Sequence, residues 1–251
     1  MKLYYFSATG NCLTTAKKIA AQMENCTVVP VAATRNMHKI VEEDKEVGFV
    51  FPVYYGNMPY PVREMIGKMV FQPDTYAFIF TTWRGHAGAV ANRADQLLRT
   101  RGVKLSLSLG IPMPGNSFIN APEVDEKYLN EQDANIAGVL DALKNREVRD
   151  YATADLLPMT PIDYPNNFRG IAADENCIGC GTCARVCPRD NIRVESGRAV
   201  IGDDCATCLA CFHACPKQAI WMSRQENIAR RSKYRHPDVT LADIIAQKGE
   251  A

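Results

Sequence analysis

Lys2-Leu3-Tyr4-Tyr5-Phe6-Ser7-Ala8-Thr9-Gly10-Asn11-Cys12-Leu13 opens as an apolar run, passes through a turn of small and hydroxylic residues, and enters a pattern in which Leu13, Ala16, Ile19 and Ala20 recur at helical spacing. Strand, turn and helix follow in that order. The alternation continues: apolar runs at Thr27 to Val31, Val47 to Val53, Tyr76 to Thr82 and Lys104 to Ile111 are separated by helical patterns near Tyr60 to Val70, Ala87 to Arg101 and Val124 to Leu143. Five strands alternating with helices predict an α/β fold on a doubly wound parallel sheet. This part of the chain holds no internal repeat and no low-complexity tract.

Ligands of such sheets bind beyond the carboxyl ends of the strands, where strand order reverses. At the first such end, Ser7, Thr9, Gly10 and Asn11 offer side-chain oxygens, an amide and backbone N–H groups at a helix N-terminus, a set that wraps a phosphate without a lysine. The GxGxxG fingerprint and the Walker loop are both absent. Taken alone, such a turn also serves as an ordinary helix cap. Placed directly after a first strand, however, Phe6-Ser7-Ala8-Thr9-Gly10-Asn11 resembles the FMN phosphate loop of flavodoxins. The resemblance covers roughly residues 1 to 145. It implies a flavodoxin-like five-stranded sheet in the order 2-1-3-4-5, with the ribityl phosphate of FMN held by Ser7, Thr9 and Asn11 and by the backbone at Gly10 and Cys12. Flavodoxins usually carry threonine where this chain has Cys12, whose thiol is a weaker donor. That leaves Cys12 two readings, a small residue filling a helix turn or a redox-sensing thiol.

Two further loops extend the resemblance. Pro52-Val53-Tyr54-Tyr55-Gly56-Asn57-Met58-Pro59 looks like the loop that covers one edge of the isoalloxazine, and Gly56 has the freedom to flip its peptide toward reduced N5. Adjacent strand residues face opposite sides, so Tyr54 reads as core and Tyr55 as outward, available to flavin or substrate. Thr81-Thr82-Trp83-Arg84-Gly85-His86-Ala87-Gly88 is closer to flavodoxin-like oxidoreductases than to the acidic loop of typical flavodoxins. It implies flavin contacts from Thr82, Trp83, Arg84, Gly85 and Gly88, with Arg84 stabilising the anionic reduced flavin. His86 reads either as a proton donor or as a solvent-facing histidine at a helix start. His38, His213 and His236 belong to no constellation visible in the sequence.

Eight of the ten cysteines form two copies of one pattern, Cys177-x2-Cys180-x2-Cys183-x3-Cys187-Pro188 and Cys205-x2-Cys208-x2-Cys211-x3-Cys215-Pro216. Three sulfurs on short turns surround one cubane, and the fourth cysteine of each run reaches across to the other. The spacing therefore assigns one 4Fe-4S cluster to Cys177, Cys180, Cys183 and Cys215, and a second to Cys205, Cys208, Cys211 and Cys187. A zinc ribbon leaves the third and fourth cysteines of each run unexplained, and a disulfide scaffold expects an export signal. Residues 174 to 223 resemble a two-cluster bacterial ferredoxin along their whole length, including Asn191-Ile192-Arg193-Val194 and Ala219-Ile220-Trp221 after each Cys-Pro.

The organisation expected is a flavodoxin-like FMN-binding domain at 1–148, a linker at 149–173 with Pro158, Pro161 and Pro165, a smaller α+β two-cluster ferredoxin domain at 174–223, and a tail at 224–251. The tail is basic at first, through Arg224, Arg230, Arg231, Lys233 and Arg235, and then reads as a capped helix within His236 to Ile245. Charged residues are 23% of the chain and the net charge is +1, which gives no reason to expect nucleic acid or an anionic membrane as partner. No apolar segment approaches a membrane span, and thiolate ligation favours a reducing compartment, so a cytoplasmic setting is expected. The whole chain resembles the flavodoxin–ferredoxin fusions called EFR1-type ferredoxins. That resemblance implies electron transfer between two clusters and FMN, a redox partner protein, and either a small-molecule acceptor, as in an oxidoreductase, or a pure carrier with no substrate of its own.

Overall fold

The computed structural model describes residues 1–117, 119–151, 171–222 and 232–249. These residues divide into two units. The first takes Met1–Ser7, Asn11–Gly115 and Pro122 onward through Tyr151; the second takes Ala8–Gly10, Asn116–Ala121 and the described residues from Ile171. Within the expected linker, residues 152–170 lie outside the described residues, as do Arg224, Arg230 and Arg231 of the tail.

In the first unit, β1 (Lys2–Tyr5), β2 (Thr27–Pro30), β4 (Glu46–Pro52), β6 (Tyr76–Trp83) and β7 (Leu105–Pro112) form one parallel sheet in the order β2-β1-β4-β6-β7. Counted along the chain, these are sheet strands 2-1-3-4-5, the flavodoxin-like doubly wound order, with the reversal between β1 and β4. Phe49, Val50, Phe51, Phe78, Ile79 and Phe80 are all fully buried, the continuous apolar run of strands covered on both faces. The covering helices are α1 (Asn11–Ala20), α2 (Tyr60–Lys68), α3 (Val90–Arg99) and α4 (Pro122–Lys144).

The helical pattern expected over Tyr60 to Val70 stops at Lys68. Met69 is extended, at φ −79° and ψ 145°, and Met69–Val70 is a short strand, β5, paired in parallel with β3 (Ile40–Val41). Its apolar side chains suit either periodicity, and the pairing partner decides.

The second unit contains two small antiparallel ladders, β8 (Ile171–Ala173) with β11 (Ile220–Met222) and β9 (Ile192–Glu195) with β10 (Arg198–Ile201). Between them lie two one-turn helices, α5 (Thr182–Val186) and α6 (Ala210–Ala214). The last helix, α7 (Leu241–Ala246), starts with a capping box in which Thr240 accepts from the Asp243 N–H and Asp243 accepts in return.

Gly48 stands between Leu3 on β1 and Phe78 on β6, and a Cβ there would lie 2.3 Å from the Phe78 ring and 2.5 Å from Leu3. Both neighbours are fully buried and have nowhere to go. Gly48→Ala is therefore expected to cost about 1–3 kcal/mol. Urea unfolding should show a lower midpoint at unchanged slope; an unchanged midpoint would refute this account of the sheet centre.

Candidate functional site

The loop after β1 is shaped by Gly10, whose φ of +105° is open to glycine and strained for other residues. Ser7, Thr9 and Asn11 are all buried. The Asn11 amide donates to the Pro114 carbonyl at 2.8 Å, which ties the start of α1 to the end of β7. Cys12 lies 3.2 Å from Thr82 Oγ1 on β6, and burial pushes its thiol up to about 12. A thiol so held stays protonated and shielded, which favours the helix-filling reading over the redox sensor. Thr15 Oγ1, one turn into α1, is buried without a hydrogen-bond partner among the described residues.

The loop after β4 closes as a two-residue turn. Tyr54 and Asn57 exchange both backbone hydrogen bonds at 3.0 Å, while Tyr55 and Gly56 take φ of 53° and 71°. That is the geometry of a type I′ turn, which suits glycine at its second position. Tyr54 is 8% exposed and Tyr55 57%. Asn57 is fully buried, and its Oδ1 accepts from the Met58 N–H at 2.8 Å. Pro52 ends β4, and Met58 is buried beneath the turn.

From the loop after β6, Gly88 comes against this turn: a Cβ on Gly88 would lie 2.7 Å from Gly56 Cα. The two glycines let the loops touch backbone to backbone. Gly85 and His86 are exposed, and α3 starts only at Val90, so His86 faces solvent from the loop and not from a helix start. Arg84 differs from expectation. Its guanidinium lies 3.2 Å from Asp125 Oδ1, and Asp125 also accepts from the Gly115 N–H at 3.0 Å. The charge assigned to a reduced flavin is thus already paired, with a partner 41 residues away that sequence reading had no means of naming. Trp83 packs its indole over Gly110 on β7, where a Cβ would come within 2.4 Å of Nε1, and that buried N–H has no partner among the described residues.

In the second unit, each element of the first cysteine run recurs 28 residues later, from Cys177 to Cys205 through Pro188 to Pro216. Cys183 lies in the first turn of α5 and Cys187 caps its end, as Cys211 and Cys215 do for α6, and the positions preceding the helices, Gly181 and Leu209, both take positive φ. Two cavities result. One is lined by Cys177, Cys180, Cys183 and Cys215; the other by Cys205, Cys208, Cys211 and Cys187. The four sulfurs of each set ring a volume, and among the described residues no three His, Cys, Asp or Glu gather as ligands of a single metal ion.

Backbone N–H groups of Ala199, Asn191, Thr207 and Ala219 donate to Cys177, Cys187, Cys205 and Cys215 at 3.3–3.4 Å. Burial raises the thiols of Cys183, Cys187, Cys205, Cys208 and Cys211, most strongly in the second cavity. Cys180 is the exception: exposed, it is lowered by its hydrogen bonds to Thr182. Cavities that disfavour bare thiolates, yet aim N–H donors at sulfur, suit an iron cluster whose metal charge compensates the ligands.

The residues that tie this unit together belong to no pattern visible in the sequence. His213 Nδ1 accepts from the Tyr234 N–H at 3.0 Å, which fixes the proton on Nε2, and Nε2 then donates to the Asn116 carbonyl at 3.0 Å. Asn116 in turn donates to the Cys208 carbonyl at 2.9 Å. Lys233 donates to the Cys215 carbonyl, and the backbone N–H of buried His236 donates to the Thr9 carbonyl at 2.8 Å. His236 and Val239 pack so closely on Gly10 that a Cβ there would meet both at 2.9 Å.

Residues 176–220 match the family of 4Fe-4S dicluster domains. The DNA-directed RNA polymerase subunit Rpo3 of Methanosarcina mazei is 36% identical over 87 residues, covering 30% of this chain; the chain spans 33% of the length of that curated relative. Among solved structures, the rubredoxin oxygen:oxidoreductase of Desulfovibrio gigas aligns with 58% of this chain and 36% of its own, at 10% identity and a TM-score of 0.35. A flavodoxin from the domain Archaea aligns with 56% of this chain and 99% of its own, at 13% identity and a TM-score of 0.34. At these scores the structural likenesses add nothing to the strand order itself. By that order and by the dicluster match, the chain joins a flavodoxin-like α/β unit to a two-cluster 4Fe-4S ferredoxin unit, an electron-transfer architecture. Among the described residues, no helix is long and apolar enough to cross a membrane.

Cys12 provides a direct check on the loop geometry. In native protein treated with iodoacetamide at pH 8, half-buried Cys26 is expected to alkylate while Cys12 stays unmodified until denaturant is added, as peptide mapping by mass spectrometry reads. Labelling of Cys12 at the rate of Cys26 would contradict the packing against Thr82.

Proposed function

We propose that the chain passes electrons between two 4Fe-4S clusters and a bound FMN, and through the flavin to a small-molecule acceptor, as a flavodoxin–ferredoxin fusion of the EFR1 type. One observation supports this most: each cavity is lined by three cysteines of one run and the fourth of the other, the division of ligands that two cubanes require. Cys177, Cys180, Cys183 and Cys215 would hold one cluster, and Cys205, Cys208, Cys211 and Cys187 the other. FMN, when bound, holds one or two electrons and so links single-electron carriers to two-electron chemistry.

The chain's own residues have distinct tasks in this reading. Ser7, Thr9, Gly10 and Asn11 would hold the phosphate with side-chain and backbone donors at the start of α1, Cys12 contributing its backbone N–H. Gly56 and Gly88 shape the loops at the strand ends, and exposed Tyr55 is available to cover a ring. Trp83, placed over Gly110 at the end of β6, is positioned to contact the flavin, and a pure carrier with no substrate of its own is the alternative version of the same reading. Exposed Cys180 marks the cluster edge at which a redox partner protein would exchange electrons. Thiolate ligation also fits a reducing compartment such as the cytoplasm.

Anaerobic purification with iron, sulfide and flavin quantified on one sample tests the reading. About eight irons and one FMN per chain are expected. Irons without flavin would leave the ferredoxin half standing and remove the flavin half. Thr9→Ala should weaken FMN binding about 10- to 100-fold, the worth of a hydrogen bond to a charged group, and leave the unfolding midpoint nearly unchanged. Equal losses of binding and stability would make Thr9 a structural cap only.

A further inference from the structure

Thr207 occupies a backbone position that does not suit it. Its φ is +55°, in the left-handed region where a β-branched residue is an outlier, and strain of that kind persists only where the surroundings impose it. The matching residue of the first run, 28 positions earlier, is Gly179 at φ +65°, the residue such a turn calls for. The first run has no alternative, because a Cβ on Gly179 would lie 2.5 Å from the Gly197 carbonyl oxygen. The second run carries a threonine in the same strained turn.

The side chain this strain supports is 5% exposed, and its Oγ1 is buried with no hydrogen-bond partner among the described residues. Burying an unpaired hydroxyl is a second cost on top of the first. Thr207 lines the cavity ringed by Cys187, Cys205, Cys208 and Cys211, and its own N–H already donates to Cys205 Sγ at 3.4 Å. Thr207 therefore stands in a cavity wall that it shares with four sulfur ligands. The other cavity has its hydroxyl elsewhere: Thr182 Oγ1 pairs with Cys180 Sγ at 3.4 Å, and the residue matching Thr182 in the second run is Ala210.

We propose that Thr207 Oγ1 donates a hydrogen bond to a sulfur of the cluster held by Cys205, Cys208, Cys211 and Cys187, and thereby raises the reduction potential of that cluster alone. The inference rests on the two-cluster reading and goes beyond it by making the two centres unequal. The added electron increases negative charge on the cluster sulfurs, so a donor there stabilises the reduced form more than the oxidised one. In a dry cavity that preference is stronger than it would be in water.

The test is an EPR-monitored potentiometric titration of the anaerobically purified full chain, with iron counted on each sample. Thr207→Val and Thr207→Gly should each move one of the two midpoints to lower potential and leave the other in place, while Thr207→Ser should titrate like the parent. Gly suits the backbone here, so a Val variant that fails to load its clusters does not decide the matter. Unchanged midpoints in a fully loaded Gly variant would overturn the proposal while the two-cluster reading stands. An iron count well below eight in the parent protein would overturn both.

Discussion

The fourth cysteine of each run lines the other run's cavity, and the second unit depends on that exchange. Proline makes it possible. A residue before proline is pushed out of the helical region, and Cys187 and Cys215 are accordingly extended at ψ of 114° and 116° where α5 and α6 end. The turns before each short helix and the helix's first turn carry three sulfurs to one cavity, the Cys-Pro step stops the helix, and the last sulfur lines the other cavity. Neither run completes a cavity without its copy. Each half of the repeat therefore supplies one ligand position of the other's cavity.

The first unit works under a different constraint. A parallel sheet delivers all its strands in one direction, so the loops after β1, β4 and β6 emerge at one edge and must be fixed there without strand pairing. They are fixed piecewise: Asn11 to Pro114, Cys12 to Thr82, Gly56 against Gly88, and Arg84 to Asp125. Each link spans tens of residues and uses a small side chain or a single polar pair. The edge resembles a flavin site in its parts, and its electrostatics are set by these links as much as by the loop residues themselves.

The features legible in the sequence are those that local chemistry dictates. The central strands β1, β4 and β6 are buried almost throughout and stand out as apolar runs, while the edge strands β2 and β7 are more exposed and β7 alternates leucine with serine. Thiolate ligation fixes cysteine spacing so tightly that the ligand division could be written before any coordinates. Contacts between distant residues were not legible. Met69–Val70 read as helix because its partner Ile40–Val41 is two residues long. Arg84 read as an available charge because Asp125 is remote. His213 and His236 belonged to no sequence pattern, yet both are buried and bonded, one to Asn116 and Tyr234 and the other to Thr9. Thr207 was visible as a residue, but its strain and its unpaired hydroxyl exist only in three dimensions.

The environments of the two cavities differ in ways that act against one another. Around Cys208 and Cys211, burial raises the thiols strongly, and the same burial penalises the charge that reduction adds. Alone, that would make the buried centre the harder one to reduce. Opposing it are the Lys248 ammonium, whose field reaches Cys187, the N–H groups aimed at Cys187 and Cys205, and the Thr207 hydroxyl. Around Cys180, solvent already screens the charge, and Thr182 suffices. Donors at sulfur offset what burial costs a reduced centre, and on the proposed reading a threonine held in a turn built for glycine is one of them.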